Sequence, residues 1–561
     1  MLSVIMIFSL FSVCAAAAED TLKITVANDL HLNLAIKANI VPGKYTAEDY
    51  SHVPAQGQLR LENALLIDDF FRQAAENDSD CVLIPGDLVD RGSDKEHTAM
   101  AAKLAAFEAA SGKSVYVVPG NHDYYGGATP DEFKEFYKDF GYSEALATDS
   151  ATASYTADLG GDYRLIAVDS CVPGDGVHGI DEARIEWIKA QAEKAKADGK
   201  KLISMMHHNV VEHFIFGGML HEASVIEKST GLQELYAQYN IKYSFVGHTH
   251  EQDIASFTGS NGNTIYDIVT NSLNSYPCPY RTVTFGDSVR FETKYIEEID
   301  MSSLKGVISD NCYNLATTDF REYTRQCAMT GVGEILDSYI TPAKIKSLLR
   351  LDASNQEHAK LIALVDEYTP LIRDLLYMPV NQADETEAGK SIESLAEAIN
   401  LDIPATDFKN FAELGLHLYE EHVVGDENFG IFSAEFNLLS VTVTVFLAEL
   451  LKDVTALDYA NVMNFICNYF GADIPVNFLR YAGSAIKRIE GIEMLLSSVL
   501  NAVALQFTTD DGLADNNATL PGYDDVPAED APAEKLSLWD KIVNFFLSFF
   551  DKILRFFGVG R

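Results

Sequence analysis

The chain has 561 residues, of which 47% are hydrophobic and 22% are charged, so it has the composition of a globular protein and the length for two or more domains. Its charge is unusual, because 42 Lys and Arg residues against 83 Asp and Glu residues give a net charge of −41. A field of that sign opposes stable binding to nucleic-acid backbones, and we therefore expect no stable nucleic-acid binding.

The first 18 residues carry no charged side chain. Residues 2–13 form an apolar stretch of secretory length that is too short to span a bilayer, and three alanines at positions 16–18 are typical of a cleavage site. We therefore expect residues 1–18 to be a signal peptide, although no Lys or Arg precedes the apolar stretch. The protein would then be exported and extracellular or associated with the cell surface.

From residue 21 to about residue 297, short β-branched apolar runs alternate with stretches of helical periodicity. The runs predict strands at residues 22–27, 81–85, 114–119, 153–159, 163–169, 201–206, 243–246, 263–269 and 280–293. The periodic stretches predict helices at residues 58–77, 95–110 and 181–197. This βαβ rhythm with a β-rich end predicts an α/β core, an arrangement that two sheets packed face to face would satisfy.

From about residue 301 to residue 507, apolar positions recur three and four residues apart and predict a helical accessory domain. Its predicted helices cover residues 343–351, 357–377, 391–400, 411–422, 432–451, 459–470 and 477–505. This half holds three of the 14 histidines, whereas 11 precede Glu251. Candidate metal ligands are therefore concentrated in the first half of the chain.

Residues 508–535 are rich in Asp, Glu, Pro and Ala and predict a flexible acidic linker. Residues 536–561 follow as an amphipathic helix with one polar stripe. Such a helix would lie on a membrane surface, or it would dock on the chain itself or on a protein partner; both alternatives stay open. Beyond the leader, six cysteines show no metal-binding spacing. Cys312 and Cys327 could form a disulfide, with free thiols as the alternative.

Five of the predicted strands end in a short polar cluster, at residues 29–31, 86–91, 120–123, 206–209 and 247–250. Ligands of α/β sheets bind at the carboxyl ends of strands, so we expect the five clusters to form one site. Seven residues in them are our candidate metal ligands: Asp29, His31, Asp87, Asn121, His207, His248 and His250. Their mixed oxygen and nitrogen donors suit two divalent ions such as Mn, Fe or Zn, with Asp87 between the ions. One Asp-x-His pair alone would be weak evidence, since a capping Asp and a surface His are common.

In their order, these clusters resemble the calcineurin-like metallophosphoesterase superfamily, whose blocks are DxH, GDxxDR, GNHD/E, a His-rich strand end and GHxH. The resemblance covers residues 21 to about 297 and implies a four-layer αββα sandwich with a dinuclear metal centre. It implies one ion held by Asp29, His31, Asp87 and His250, and a second held by Asp87, Asn121, His207 and His248. At the fourth block Asn209 replaces a frequent Pro, and we prefer His207 to His208 because it aligns with the first His. Residues 271–281 resemble a subgroup of exported bacterial phosphoesterases.

The resemblance implies hydrolysis of a small phosphate ester, either a monoester or a diester, by a metal-activated water. His122 would act as general acid or charge stabiliser, with Asp123 fixing its orientation. Arg91 would hold a phosphate oxygen or pair with a nearby carboxylate. The alternative is a cell-surface interaction protein whose helical half binds a partner and whose metal site is vestigial.

Overall fold

A computed structural model of the protein describes residues 21–34, 57–172, 177–213, 229–348, 351–354, 358–384, 390–425, 429, 433–451 and 513–524. The predicted signal peptide, the predicted C-terminal helix and the helices predicted at 459–470 and 477–505 lie outside the described residues.

Two mixed β-sheets form the centre of the fold. Their strands, with one short hairpin, are β1 Leu22–Val26, β2 Cys81–Ile84, β3 Ser114–Val117, β4 Ala147–Thr148, β5 Tyr155–Gly160, β6 Tyr163–Val168, β7 Cys171–Val172, β8 Val177–His178, β9 Lys201–Met206, β10 Tyr243–Val246, β11 Asp253–Thr258, β12 Thr264–Val269, β13 Pro279–Phe285, β14 Ser288–Tyr295 and β15 Thr519–Pro521. The first sheet has the order β15-β14-β13-β1-β2-β3, and the second has the order β11-β12-β10-β9-β6-β5-β4. β1, β2 and β3 are parallel neighbours, and so are β9 and β10. Each sheet therefore brings its polar strand ends to one edge.

Helices cover the outer faces of both sheets and form the second half of the chain. The α-helices are α1 Asn63–Glu76, α2 Asp94–Ser111, α3 Asn121–Tyr124, α4 Pro130–Phe136, α5 Glu182–Ala197, α6 Ser229–Tyr239, α7 Asp310–Thr318, α8 Phe320–Tyr339, α9 Pro342–Leu348, α10 Ala359–Leu376, α11 Ile392–Ala398, α12 Phe411–Val424 and α13 Ala434–Leu451. Among the described helices, none combines the length and apolar character needed to cross a membrane.

Successive side chains of a strand point to opposite faces of the sheet, and burial of both faces explains why the strand sequences are continuous apolar runs. On β2, Cys81 and Leu83 pack between the two sheets, whereas Val82 and Ile84 pack against the helices outside. A strand buried on both faces needs apolar residues at every position. A third core lies between the second sheet and α5 and α6. Three cores between four layers confirm the predicted αββα sandwich.

The boundary predicted at residue 301 is not a boundary in the core. Met301, Phe320, Tyr323 and Cys327 pack in the same hydrophobic cluster as the helix side of the first sheet. The helical periodicity after residue 301 is real, but periodicity does not report which surface an apolar face will contact. α7 and the start of α8 therefore belong to the α/β half of the molecule.

The linker prediction is wrong for residues 513–524. β15 pairs antiparallel with β14 at the edge of the first sheet, and Ala518, Leu520 and Tyr523 are buried between the sheets. The composition is acidic, but these three apolar side chains find an open strand edge in β14 that sequence statistics do not reveal. A segment far along the chain thus completes the first sheet.

One predicted strand and one suggested disulfide differ from the structure. The stretch predicted as one strand at 280–293 is a hairpin, β13 and β14, turning at residues 286 and 287. The five cysteines in the described residues, which include Cys312 and Cys327, are buried and form no disulfide with one another. The suggested disulfide is therefore absent, and Cys467 lies outside the described residues.

Candidate metal centre

The five polar clusters meet at one edge of the sandwich. Within the first sheet, the amide of His31 donates to the carbonyl of Asp87 at 2.9 Å. Within the second, the amide of Gly247 donates to the carbonyl of His207 at 2.8 Å. The two sheets are joined here by the side chain of Asn28, which donates to the carbonyl of Val246. The parallel strand ends therefore converge as the sequence predicts.

Asp29, His31 and His250 form one ligand group. His250 Nε2 lies 3.4 Å from Asp29 Oδ1 and 3.2 Å from His31 Nε2. His31 Nε2 lies 3.8 Å from the same Asp29 oxygen. One atom from each residue can therefore point at a single cation, and the three lie within 4.8 Å of one another.

Asn121, His207 and His248 form the second group. Asn121 Oδ1 lies 3.0 Å from His207 Nε2 and 3.0 Å from His248 Nδ1. The amide nitrogen of Asn121 donates to the hydroxyl of Tyr125 at 2.8 Å, which leaves Oδ1 turned towards the two imidazoles.

Asp87 lies between the two groups. Its Oδ2 is 3.6 Å from His31 Nε2 and 3.4 Å from His207 Nε2. Its Oδ1 accepts the amide of His122 at 2.8 Å. The structure thus brings all seven predicted ligands together, with Asp87 in the position predicted for the bridging carboxylate.

The donor set fits divalent cations. Two imidazole nitrogens 3.2 Å apart, as in His31 and His250, need a proton or a metal ion between or beside them, and burial lowers the pKa of His31 well below its usual value. Burial also lowers the pKa of His207, but the Asp87 carboxylate outweighs this and raises it to about 9. A cation bound there therefore displaces a proton. Burial would raise the pKa of Asp87, but His207 and His122 lower it well below its usual range.

Backbone strain concentrates at the same residues. In the described part of the chain, eight non-glycine residues have positive φ, and five of them are predicted ligands: Asp29, His31, Asp87, His248 and His250. Such angles are costly for L-residues and persist where the surroundings enforce them. Glycines allow the close approach: a Cβ on Gly247 would lie 2.5 Å from Asp29 Oδ2, and one on Gly86 would lie 2.7 Å from His207 Nδ1.

The geometry supports His207 over His208 as the ligand. His207 Nδ1 bonds to the carbonyl of Pro85 at 2.9 Å, which directs Nε2 to Asp87 and Asn121. His208 Nδ1 instead bonds to the hydroxyl of Ser170 at 2.8 Å. His208 still lies within ligand distance of His207 and His248, so it lines the same pocket.

His122 lies beside the seven predicted ligands, with a ring nitrogen within 4.8 Å of ligand atoms of His31 and Asp87. Its ring is edge-on to His31 at 4.6 Å, and its side chain is 27% exposed. Its Nδ1 lies 2.7 Å from the carbonyl of Asp90, so Nδ1–H donates there.

The orientation of His122 does not come from Asp123, contrary to the sequence-based expectation. The Asp123 carboxylate accepts the amides of Gly120, Leu88 and Val89 at 2.8, 3.3 and 3.1 Å. A short helical turn at α3 rotates the Asp123 side chain away from its neighbour and into the loop that carries Asp87. Asp123 is therefore a positioning residue for that loop.

Arg91 lies at the rim. Its side chain is 63% exposed, and its Nε lies 3.7 Å from Asp90 Oδ2. Of the two roles considered from the sequence, the pairing with a carboxylate is the one seen in the structure.

No role at the site was assigned from the sequence to Ser272, Glu251 or His422. Ser272 Oγ donates to the carbonyl of Asp29 at 2.7 Å, and Glu251 contacts His422 of α12 at 3.2 Å. For Ser272 and Glu251 a signal existed, since the first lies in the polar run after β12 and the second directly follows His250. His422 carried none, because only the packing of the helical half brings it near the site.

An αββα sandwich with seven clustered His, Asp and Asn donors defines the class of dinuclear metallohydrolase domains. Residues 22–252 match the family model described as calcineurin-like phosphoesterase. Over these residues the chain is similar to the calcineurin-like phosphoesterase family.

The curated relatives and solved structures are more distant. A probable glycerophosphodiester phosphodiesterase of Arcobacter nitrofigilis is 25% identical over 133 residues, which span 24% of this chain and 43% of that protein. A dimetal phosphatase structure from Danio rerio aligns at a TM-score of 0.36 and 12% identity, covering 49% of this chain and 96% of that one. The NAD nucleotidase of Haemophilus influenzae aligns at a TM-score of 0.28 and 14% identity, covering 67% and 68%. The similarity to the calcineurin-like phosphoesterase family rests on the match over residues 22–252.

Proposed function

We propose that the protein is a metal-dependent hydrolase of small phosphate esters. The observation that carries this proposal is the position of Asp87, whose Oδ2 lies 3.6 Å from a ligand of one group and 3.4 Å from a ligand of the other. One ion would be held by Asp29, His31, Asp87 and His250, and the second by Asp87, Asn121, His207 and His248. When bound, two such cations lower the pKa of a water molecule towards neutrality and offset charge on the attacking and leaving oxygens of an in-line displacement.

The protein's own residues supply orientation and a proton. The Asp90 carbonyl holds the His122 ring through Nδ1, which leaves Nε2 to donate to a leaving oxygen. We assign His122 as general acid on this geometry. Arg91 is exposed at the rim, where its guanidinium can exchange the Asp90 carboxylate for a phosphate oxygen of a bound substrate.

Among phosphate esters we favour diesters. A diester carries one negative charge and a monoester carries up to two, so a protein with a net charge of −41 repels the diester less. The partial match to a probable glycerophosphodiester phosphodiesterase points the same way.

The first test is turnover of the leaderless protein reconstituted separately with Mn²⁺, Zn²⁺ and Fe²⁺. Bis-para-nitrophenyl phosphate is compared with para-nitrophenyl phosphate, and Asp87→Ala serves as the control. We expect hydrolysis of both with the diester preferred, and loss of both in the control. A monoester preference overturns the diester assignment, and undiminished activity in the control overturns the proposed centre.

We also propose export of the mature chain, supported by the uncharged apolar stretch at residues 2–13 and the small residues at 16–18. N-terminal sequencing of the protein from its native host tests this. A mature chain that begins near residue 19 is expected, and an uncleaved chain contradicts the proposal.

A further inference from the structure

The helical half of the chain contacts the metal centre through the last turn of α12. His422 Nε2 lies 3.2 Å from Oε2 of Glu251, the residue that follows the ligand His250. The next two residues of α12 accept hydrogen bonds from the catalytic half, which is the α/β sandwich together with residues 513–524. The Asn271 side chain donates to the carbonyl of Val423 at 3.0 Å, and the Asn516 side chain donates to the carbonyl of Val424 at 2.9 Å. One helix end therefore meets three segments that surround the His250 turn.

That turn is strained. His248 and His250 have φ of 73° and 56°, a region that L-residues occupy only when their surroundings impose it. At its start, the amide of His248 is held by the Asp29 carboxylate at 3.1 Å. Two side chains hold the chain at the end of this turn. Glu251 contacts His422, and Gln252 accepts a hydrogen bond from the amide of Asn271 at 3.1 Å. The far end of the turn is therefore fixed partly by the helical half.

α12 is itself anchored to the core. Glu420, one half-turn before His422, receives two bonds from Arg325 of α8, with Nε–Oε1 at 2.6 Å and Nη2–Oε2 at 2.8 Å. α8 is fixed in turn by Tyr323, whose buried hydroxyl donates to Glu62 at 2.5 Å. A bidentate Arg–carboxylate pair constrains both distance and angle. A continuous set of contacts thus runs from the core through α8 and α12 to the metal-ligand turn.

We propose that the helical half holds the His248–His250 turn in its ligating conformation, with His422 as the positioning residue that acts through Glu251. This inference rests on the proposed metal centre, and it is independent of which phosphate ester is the substrate. It gives the helical half a role within the catalytic unit, in contrast to a separate partner-binding module. Residues that orient metal ligands from behind commonly change metal affinity by about 10- to 100-fold.

The test is a Co²⁺ titration of the metal-stripped protein, followed by the visible absorption of bound Co²⁺. His422→Leu removes the contact with Glu251, and we expect about a 10-fold or greater loss of Co²⁺ affinity together with a changed absorption envelope. His422→Gln retains a donor for the Glu251 carboxylate and should recover most of the affinity. His417→Leu is the matched control, because His417 lies on the same helix and its ring contacts Phe408 and Phe429.

A second set of variants tests the anchor of α12. Arg325→Glu and Glu420→Arg should each weaken Co²⁺ binding, and the double exchange should restore it, because the ion pair is re-formed with reversed charge. Thermal melts of the metal-free proteins separate this effect from a loss of folding, since the proposal requires affinity to fall more than stability does.

Each possible result of the Co²⁺ titrations contradicts a different claim. Wild-type Co²⁺ affinity in His422→Leu, or an equal loss in His417→Leu, overturns the role of His422. Absence of Co²⁺ binding by the wild-type protein overturns the proposed metal centre and this inference with it. Normal Co²⁺ binding without hydrolysis overturns only the proposed activity.

Discussion

At the scale of single residues, the site combines predicted ligands that have strained backbone angles with a neighbouring histidine, His122. His122 contacts His31 edge-on and hydrogen-bonds to the Asp90 carbonyl, and it is not one of the seven proposed ligands. Its role can therefore be separated from metal binding.

Changing His122→Asn should lower kcat by about 100- to 10,000-fold, the usual contribution of a general acid. Metal content measured by mass spectrometry should stay at the wild-type level, because the ligands are untouched. Loss of metal along with turnover would assign His122 to the ligand set, and unchanged kcat would remove it from the mechanism.

Gly247 allows the approach of the His248–His250 turn to Asp29. In Gly247→Ala the new Cβ would lie 2.5 Å from Asp29 Oδ2, so the carboxylate or the turn has to move. We expect metal affinity to fall by about 10-fold or more, measured by titration of the stripped protein. Gly231→Ala in α6 is the control, because a Cβ there meets no atom within 4 Å. Equal affinity in both variants would contradict the importance of this contact.

His213 lies between two carboxylates on the segment that follows His207 and His208. Its Nδ1 is 2.6 Å from Asp253 and its Nε2 is 3.4 Å from Asp267. Burial lowers the pKa of His213, but the two carboxylates outweigh it and raise that pKa well above the usual value. Because the folded pKa is the raised one, the charged ring stabilises the fold fully below about pH 6.5, its unfolded pKa, and this contribution is lost as pH rises through the folded pKa.

Denaturant midpoints of metal-free protein, measured from about pH 6.5 upward, check this expectation. The wild-type free energy of unfolding should fall with rising pH more steeply than that of His213→Gln. His417→Gln should follow the wild-type profile. Parallel profiles for wild type and His213→Gln would mean that the ring is not charged in the folded protein.

At the scale of elements, the edge strand β15 joins the two sheets. Its neighbours Tyr523 and Asp524 reach across, with the Tyr523 hydroxyl donating to the carbonyl of Leu202 and Asp524 pairing with Lys201 at 2.7 Å. Asp515 also accepts the amide of Ile254 at 2.9 Å. The strand therefore secures the catalytic half even though it lies after the helical half in sequence.

Leu520→Ala should lower the free energy of unfolding by about 2–5 kcal/mol, because a Leu that is only 5% exposed leaves a cavity between the sheets. Leu146, which is 45% exposed, provides the control, and Leu146→Ala should change stability by no more than about 0.5 kcal/mol. Urea unfolding measures both. Equal effects would mean that β15 is not part of the cooperative fold.

At the scale of the whole molecule, the proposed metal centre would couple metal binding to folding. Because the ligands come from five strand ends in two sheets, the unfolded chain cannot present them together, and bound ions stabilise the folded state alone. At a free metal concentration of about 100 times Kd, one site adds about 2.7 kcal/mol.

Chelation should therefore lower the Tm of the wild-type protein by several degrees and leave that of Asp87→Ala nearly unchanged. Calorimetry with and without EDTA makes the comparison. An equal shift in both proteins would indicate ions bound outside the proposed centre.

Much of the catalytic half was predictable, and the reason is local. β9 and β10 begin and end where the apolar runs do, because strands buried on both faces carry apolar residues throughout. The ligand clusters were predictable for a related reason: each follows such a strand directly, and parallel strands end at one edge.

The sequence by itself determined the α/β core, the seven ligand candidates and the helical character of the second half, since all three follow from local patterns of residue type and spacing, and the family resemblance added the four-layer αββα arrangement. The tertiary structure alone decided that Asp123 supports the Asp87 loop and not His122, that residues 513–524 form an edge strand, and that His422 reaches Glu251. Each of these depends on where a side chain points or which distant surface it meets, and no short-range pattern encodes a contact between residues 171 positions apart.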